Sequence, residues 1–123
     1  MPGGQNKFFI KYDEKTKLYW LASVQSIDSM TRVEFLSDDR FNLPSDERNR
    51  LALHFSKNMV DWVFAGLVAK DDNERRTRHY ASMDFDGEDL VIFSRSGDEN
   101  TKDAHDNNLI TQHTIKNFRD LVY

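Results

Sequence analysis

The chain has 123 residues, enough for one modest core and too few for two comfortable domains. Hydrophobic residues at 38% and charged residues at 31% exclude a disordered or fibrous chain, and the net charge of -4 argues against nonspecific attraction to nucleic-acid phosphates. Cysteine is absent, which rules out disulfides and thiolate chemistry and leaves the redox compartment open.

The N-terminal stretch MPGGQNKFFIKYDEKTK has neither a basic leader nor an apolar run of signal-peptide length, and Gly3 and Gly4 lack the strand-to-helix setting of a phosphate loop. No later run approaches the roughly 18 apolar residues of a membrane span, so a soluble chain with no signal peptide and no membrane contact is expected. KFFIKY and LYWLASV are aromatic-rich strand candidates around the polar turn DEKTK, where Asp13 and Thr16 can bond the turn backbone. Residues 25–50 form a long polar connection pinned by Pro44, with RVEFL a candidate for a short extra strand.

SDERNRLALHF has a helix-cap candidate in Ser45, but RLALHFS alternates at period two and is taken as a strand. Leu51–Phe55 and Val63–Val68 make a second hairpin around SKNMVDW. Arg75, Arg76 and Arg78 are the only basic knot, balanced by Asp71, Asp72 and Glu74, which reads as a solvated loop and gives no nucleic-acid surface. HYASMDF and LVIFS flank a turn signalled by Asp86-Gly87, and NNLITQHTI supplies the last strand. The closing KNFRDLVY fits a helical turn or an edge strand. Seven strands follow: Lys7–Tyr12, Leu18–Val24, Leu51–Phe55, Val63–Val68, Tyr80–Phe85, Leu90–Phe93 and Asn108–Ile115. Such an all-β unit over 1–123 fits a small antiparallel sandwich or propeller blades.

SKNMVDW resembles the Asp-box loop of sialidase-like glycoside hydrolase propellers, although Asn58 stands where aspartate is usual, glycine and threonine are missing, and Trp62 comes one residue early. NKFFIKYDEKTKLYWLAS, YASMDFDGEDLVIFSRS and HDNNLITQHTIKNFRDL are similar to the C-terminal part of bacterial members. The resemblance implies a partial β-propeller of roughly two four-stranded blades. Ser56 and Asn58 would then bond the turn backbone while Trp62 packs over the blade edge. It also implies a carbohydrate ligand, with glycan binding or hydrolysis only within a complete propeller, and a homo-oligomer or the remainder of a longer propeller chain, with strand exchange at Leu121, Val122 and Tyr123. The alternative is a noncatalytic binding or assembly module.

Arg95, directly after LVIFS, is a candidate to hold a carboxylate through its planar fork, or else to pair with Asp84 or Asp86. His105, Asn107 and Asn108 belong to a polar knot before the last strand; His105 can move protons near neutral pH and the asparagines can meet ligand hydroxyls. Tyr80 and Asp84 are the tyrosine and carboxylate that sialidase-like hydrolysis would use. No complete catalytic set carries over, so enzymatic activity stays open. His54, His79, His105 and His113 share no zinc spacing, SGDENTKD lacks the ligand pattern of a calcium loop, and no cofactor is called for.

Overall fold

The computed structural model describes residues 6–28, 31–38 and 47–123. Pro44, Ser45, Gly3 and Gly4 lie outside them. Among the described residues seven strands occur: β1 (Phe9–Asp13), β2 (Leu18–Val24), β3 (Arg50–Ser56), β4 (Val63–Lys70), β5 (Arg78–Asp86), β6 (Asp89–Ser96) and β7 (Leu109–Ile115). All pairs are antiparallel, in one four-stranded sheet of order β1-β2-β3-β4 and one three-stranded sheet of order β5-β6-β7.

The burial pattern follows from each strand's place. In β6, Leu90, Ile92, Ser94 and Ser96 are buried while Phe93 and Arg95 are exposed, the period-two signature of a sheet with one covered face. β2, between β1 and β3, is buried almost throughout, and its run of Leu18, Trp20, Leu21, Ala22 and Val24 suits a central strand covered on both faces. The two sheets share one core, in which Leu18, Trp20, Ala22, Leu51, Leu53 and Phe55 of the first meet Met83, Leu90 and Ile92 of the second.

This arrangement is a small antiparallel β-sandwich, and it overturns the partial propeller. Neither sheet curls or closes; each buries its apolar face against the other. Chain-order meanders occur in sandwich layers as well as in blades, so strand order alone does not separate the two. Two smaller expectations also change. RVEFL holds no strand but a 3-10 turn, Val33–Phe35, with no buried residue. The β5–β6 turn is Gly87–Glu88, closing on the pair Asp86–Asp89, and Gly87 takes the first central position at φ 61, which glycine adopts without strain.

The ends of the long connection are tied down. The buried Glu47 carboxylate accepts the backbone N–H groups of Ile27 and Asp28 and the Arg50 guanidinium, and Gln25 N–H donates to the Arg50 carbonyl at 2.9 Å. At the other end of the sandwich the chain finishes in a 3-10 turn, Phe118–Leu121, entered through Asn117 in the left-handed region. This turn drives Phe118 fully into the core, edge-on to Trp20 at 4.8 Å and stacked on Phe85 at 5.3 Å. Arg119 follows and grips Asp13 bidentately, at 2.8 and 2.9 Å, while its remaining nitrogen donates to the Gly87 carbonyl and Glu88. Three turns from both sheets meet at one guanidinium.

Asp13 also accepts from Thr16 Oγ1 at 2.7 Å and from Lys15 N–H, so the buried carboxylate has partners on both oxygens. The Arg119 guanidinium, with Thr16 and Lys15, holds its pKa down to about 2 against an ordinary 3.8, despite burial.

Two predictions follow from this end of the molecule. Phe118→Ala removes a fully buried ring and is expected to lower unfolding free energy by about 3–5 kcal/mol in urea titration. The Asp13 carboxyl stabilises the fold fully above pH 4, and that contribution, about 2 kcal/mol, disappears as pH falls from 4 towards 2, where the folded group also protonates. Asp13→Asn is expected to be less stable at pH 7 and to lack that acid limb.

Candidate functional site

At the end of the sandwich opposite Arg119, β5 begins with an irregularity. Pairing with β6 runs Arg78–Ser96 and His79–Arg95 and then shifts before Ser82–Phe93, so Tyr80 and Ala81 bulge from the ladder. Tyr80 sits at φ 48, a left-handed conformation costly for an aromatic residue and retained only where the surroundings hold it. The holding groups are polar and buried. Arg48, from the segment leading into β3, places Nη1 3.1 Å from both His79 Nδ1 and the Tyr80 hydroxyl. His79 Nε2 lies 3.1 Å from Asn107 Oδ1, which also accepts from Thr77 Oγ1 at 2.5 Å.

This geometry fixes the imidazole. A guanidinium only donates, so His79 Nδ1 is the acceptor, and Nε2 carries the proton it gives to Asn107. Burial, and then the Arg48 charge, push the His79 pKa down to about 4. The His79 and Tyr80 rings stack at 4.2 Å, and Lys7 Nζ and the Arg48 guanidinium lie 5.3 and 5.5 Å from the centre of the Tyr80 ring. Arg78 N–H donates to the Arg48 carbonyl at 2.8 Å, stitching the approach to β3 onto the first residue of β5.

The residues singled out from sequence divide between three places. Tyr80 and Asn107 belong to this network, and Arg95 lies beside it with its guanidinium 3.5 Å from the His105 carbonyl. Asp84 does not join them. It is exposed near the far end of β5 in an ion pair with Lys11 at 2.8 Å, which holds its carboxyl below the usual range, and so it does not pair with Arg95. Asn108 turns away to the neighbouring loop, where its amide meets Asp98 at 2.9 Å. His79, Arg48 and Thr77 were not anticipated. Asn107 and His79 are 28 residues apart and Arg48 and His79 are 31 apart, with no local spacing to mark them.

SKNMVDW closes the β3–β4 hairpin through its own side chains. Ser56 Oγ accepts from the Asn58 and Met59 N–H groups at 3.2 and 2.9 Å, and Asn58 Oδ1 accepts from Val60 and Asp61, both at 2.9 Å. Trp62 is half-buried and donates Nε1–H to the Met59 carbonyl. A cavity of about 280 Å³ beside this loop is lined by Phe55, Ser56, Lys57, Asn58, Asp61, Val63 and Tyr123, but the turn already uses the Ser56 and Asn58 oxygens.

A second hydroxyl cluster was also missed. Ser94, Ser96, Thr111 and His113 continue the core-facing side of β6 and β7, with Ser94 Oγ 3.3 Å and Thr111 Oγ1 3.0 Å from His113 Nε2. Ser94 is buried at 1% exposure, so no substrate reaches its oxygen, and the hydroxyls satisfy one another within the sandwich. Among the described residues no group of three or more acidic or histidine side chains forms a metal site, and no helix is long and apolar enough to cross a membrane.

No family model, curated protein or solved structure matches the chain. With two sheets packed as a sandwich and no family match, the resemblance to sialidase-like propellers is overturned. The Asp-box, glycoside hydrolase and carbohydrate-active assignments that rested on it fall with it. The serine and asparagine bonds of the loop are those of any tight turn closed by short polar side chains.

His79 makes this site acid-sensitive. The unfolded imidazole titrates near 6.5 and the folded one near 4, so the fold is most stable above pH 6.5 and loses about 3 kcal/mol as pH falls from 6.5 to 4. Chemical denaturation at closely spaced pH values checks this, and His79→Gln is expected to flatten that interval. Trp62→Ala is expected to cost about 1–2 kcal/mol by thermal unfolding, less than a fully buried indole, because the side chain is only partly buried.

Proposed function

We propose that this chain is a noncatalytic binding and assembly module. The observation that carries this reading is the separation and engagement of its candidate acid–base groups. General acid–base chemistry needs a proton-transfer group within reach of a second one and free to exchange its proton. Here Asp84 is salt-bridged to Lys11 away from Tyr80, and both His79 nitrogens are engaged by Arg48 and Asn107. A hydrolytic acid also needs a carboxyl with a raised pKa. Asp13, Asp72, Asp84, Glu88, Asp89 and Asp98 are all shifted the other way, chiefly by hydrogen bonds to cationic or amide side chains.

The surface supports the assembly part. On the face of the first sheet turned away from the core, Phe64 and Leu67 of the edge strand β4 are exposed at 42 and 49%. Exposed apolar side chains side by side on an edge strand suit a protein contact.

Turnover assays with chromogenic glycosides and esters test the noncatalytic reading. The expected rate is that of buffer. Turnover that disappears in Tyr80→Phe or Asp84→Asn protein, with the fold intact by circular dichroism, would overturn it.

A further inference from the structure

Each sheet has two edges, and three of the four are guarded. β1 is five residues long, carries Lys11 and ends in the clasped Asp13. β4 has two register shifts against β3, ends in Lys70, and gives its Phe64 carbonyl to the Tyr123 hydroxyl at 3.2 Å. β5 is bulged at Tyr80 and carries Arg78, Asp84 and Asp86. Charges, bulges and short length are the devices that keep sheet edges from pairing.

β7 has none of them. Its seven residues, Leu-Ile-Thr-Gln-His-Thr-Ile, contain no proline and no Asp, Glu, Lys or Arg, and they pair with β6 in unbroken register from Leu109 to Ile115. Alternate backbone N–H and C=O groups of such a strand point away from β6, its one ladder partner among the described residues, and Leu109 and Ile110 are exposed at 40 and 71%. We propose that the β7 edge is a homodimer interface, in which two copies pair β7 to β7 antiparallel about a two-fold axis at Gln112 and form one six-stranded sheet. This inference rests on the assembly reading and names its partner as a second copy of this chain.

The strand's own sequence selects that partner. Centring on Gln112 is the register that uses all seven residues, and every cross-axis pair is then compatible. Leu109 faces Ile115 of the other copy, Ile110 faces Thr114, Thr111 faces His113, and the two Gln112 amides face each other and can exchange hydrogen bonds. No like charges meet within the strand. Antiparallel pairing also brings the Asp106 end of one strand towards the Lys116 end of the other, where the Lys116 side chain is 75% exposed while it pairs with Asp89. A β-branched, uncharged edge lets a copy of itself satisfy its open ladder, and closed two-fold pairing stops at the dimer.

A contact through one strand edge belongs with the small, transient interfaces, so dimerisation is expected to be weak and concentration-dependent. Sedimentation velocity from 1 to about 500 µM reads it, with the wild type expected to pass from monomer to dimer. Gln112→Lys and Gln112→Glu each place like charges against each other on the axis. Each alone is expected to raise the dimer dissociation constant at least about tenfold. A 1:1 mixture of the two is expected to restore dimers, because Lys then faces Glu. Gln112 is exposed and its neighbour on β6 is Phe93, so both variants are expected to fold, and the mixture controls for any that do not. A wild type that stays monomeric to 500 µM overturns the interface. A dimer unaffected by either variant but lost in Leu67→Asp overturns it too, and would place assembly on the first sheet, leaving the broader reading standing.

Discussion

The ion pair between Arg119 and Asp13 joins residues 106 apart in sequence, and the packing of the two sheets depends on it. One guanidinium holds the β1–β2 turn through Asp13 and the β5–β6 turn through Gly87 and Glu88, one turn from each layer. A buried carboxylate is costly unless its lone pairs are filled, and Arg119, Thr16 and the Lys15 N–H fill those of Asp13. The pair also sets the depth of the C-terminal turn. With Arg119 anchored, its neighbour Phe118 has only the space between Trp20 and Phe85 to enter, and the guanidinium lies 4.4 Å from the Phe118 ring centre. Electrostatics fixes the geometry and the buried aromatic ring supplies the larger free energy.

The other end is closed by neutral and cationic groups instead. Arg48, His79, Asn107 and Thr77 link the approach to β3, the start of β5 and the approach to β7. The apolar core thus lies between two polar clasps. Both are built of residue types that carry chemistry in enzymes, and both are occupied with holding strands in place. Tyr80 illustrates the difference: its strained backbone and hydroxyl resemble a reacting group, yet the hydroxyl already receives the Arg48 guanidinium. Such sites rigidify the two ends of the sandwich.

The strands were legible in the sequence because alternation in LVIFS and aromatic richness in LYWLASV report burial directly, whereas RLALHFS alternates in sequence but is buried on both faces from Leu51 to Ser56. Asp13 was legible as a turn residue, since its role there is local. Its second role, binding Arg119, was not, because no pattern in KNFRDLVY marks one arginine and one phenylalanine as contacts of a turn a hundred residues earlier. The same holds for Arg48 and His79, which meet only after the sheets stack. Asn107 was singled out as a ligand residue for the feature that makes it structural, an amide able to serve two donors at once. The propeller expectation arose because hairpins joined by polar loops look alike in blades and sandwich layers. What separates the two is how the sheets pack, a long-range property that a hairpin does not encode.

A double-mutant cycle on Asp13 and Arg119 tests most directly whether this pair sets the association of the sheets. Asp13→Asn, Arg119→Gln and the double variant would be compared by urea unfolding at pH 7. A coupling energy of about 2 kcal/mol or more is expected, with faster amide exchange in the β5–β6 turn once the pair is broken. Coupling near zero, with each single variant as stable as the wild type, would contradict the account and leave Phe118 as the sole fastening of that end.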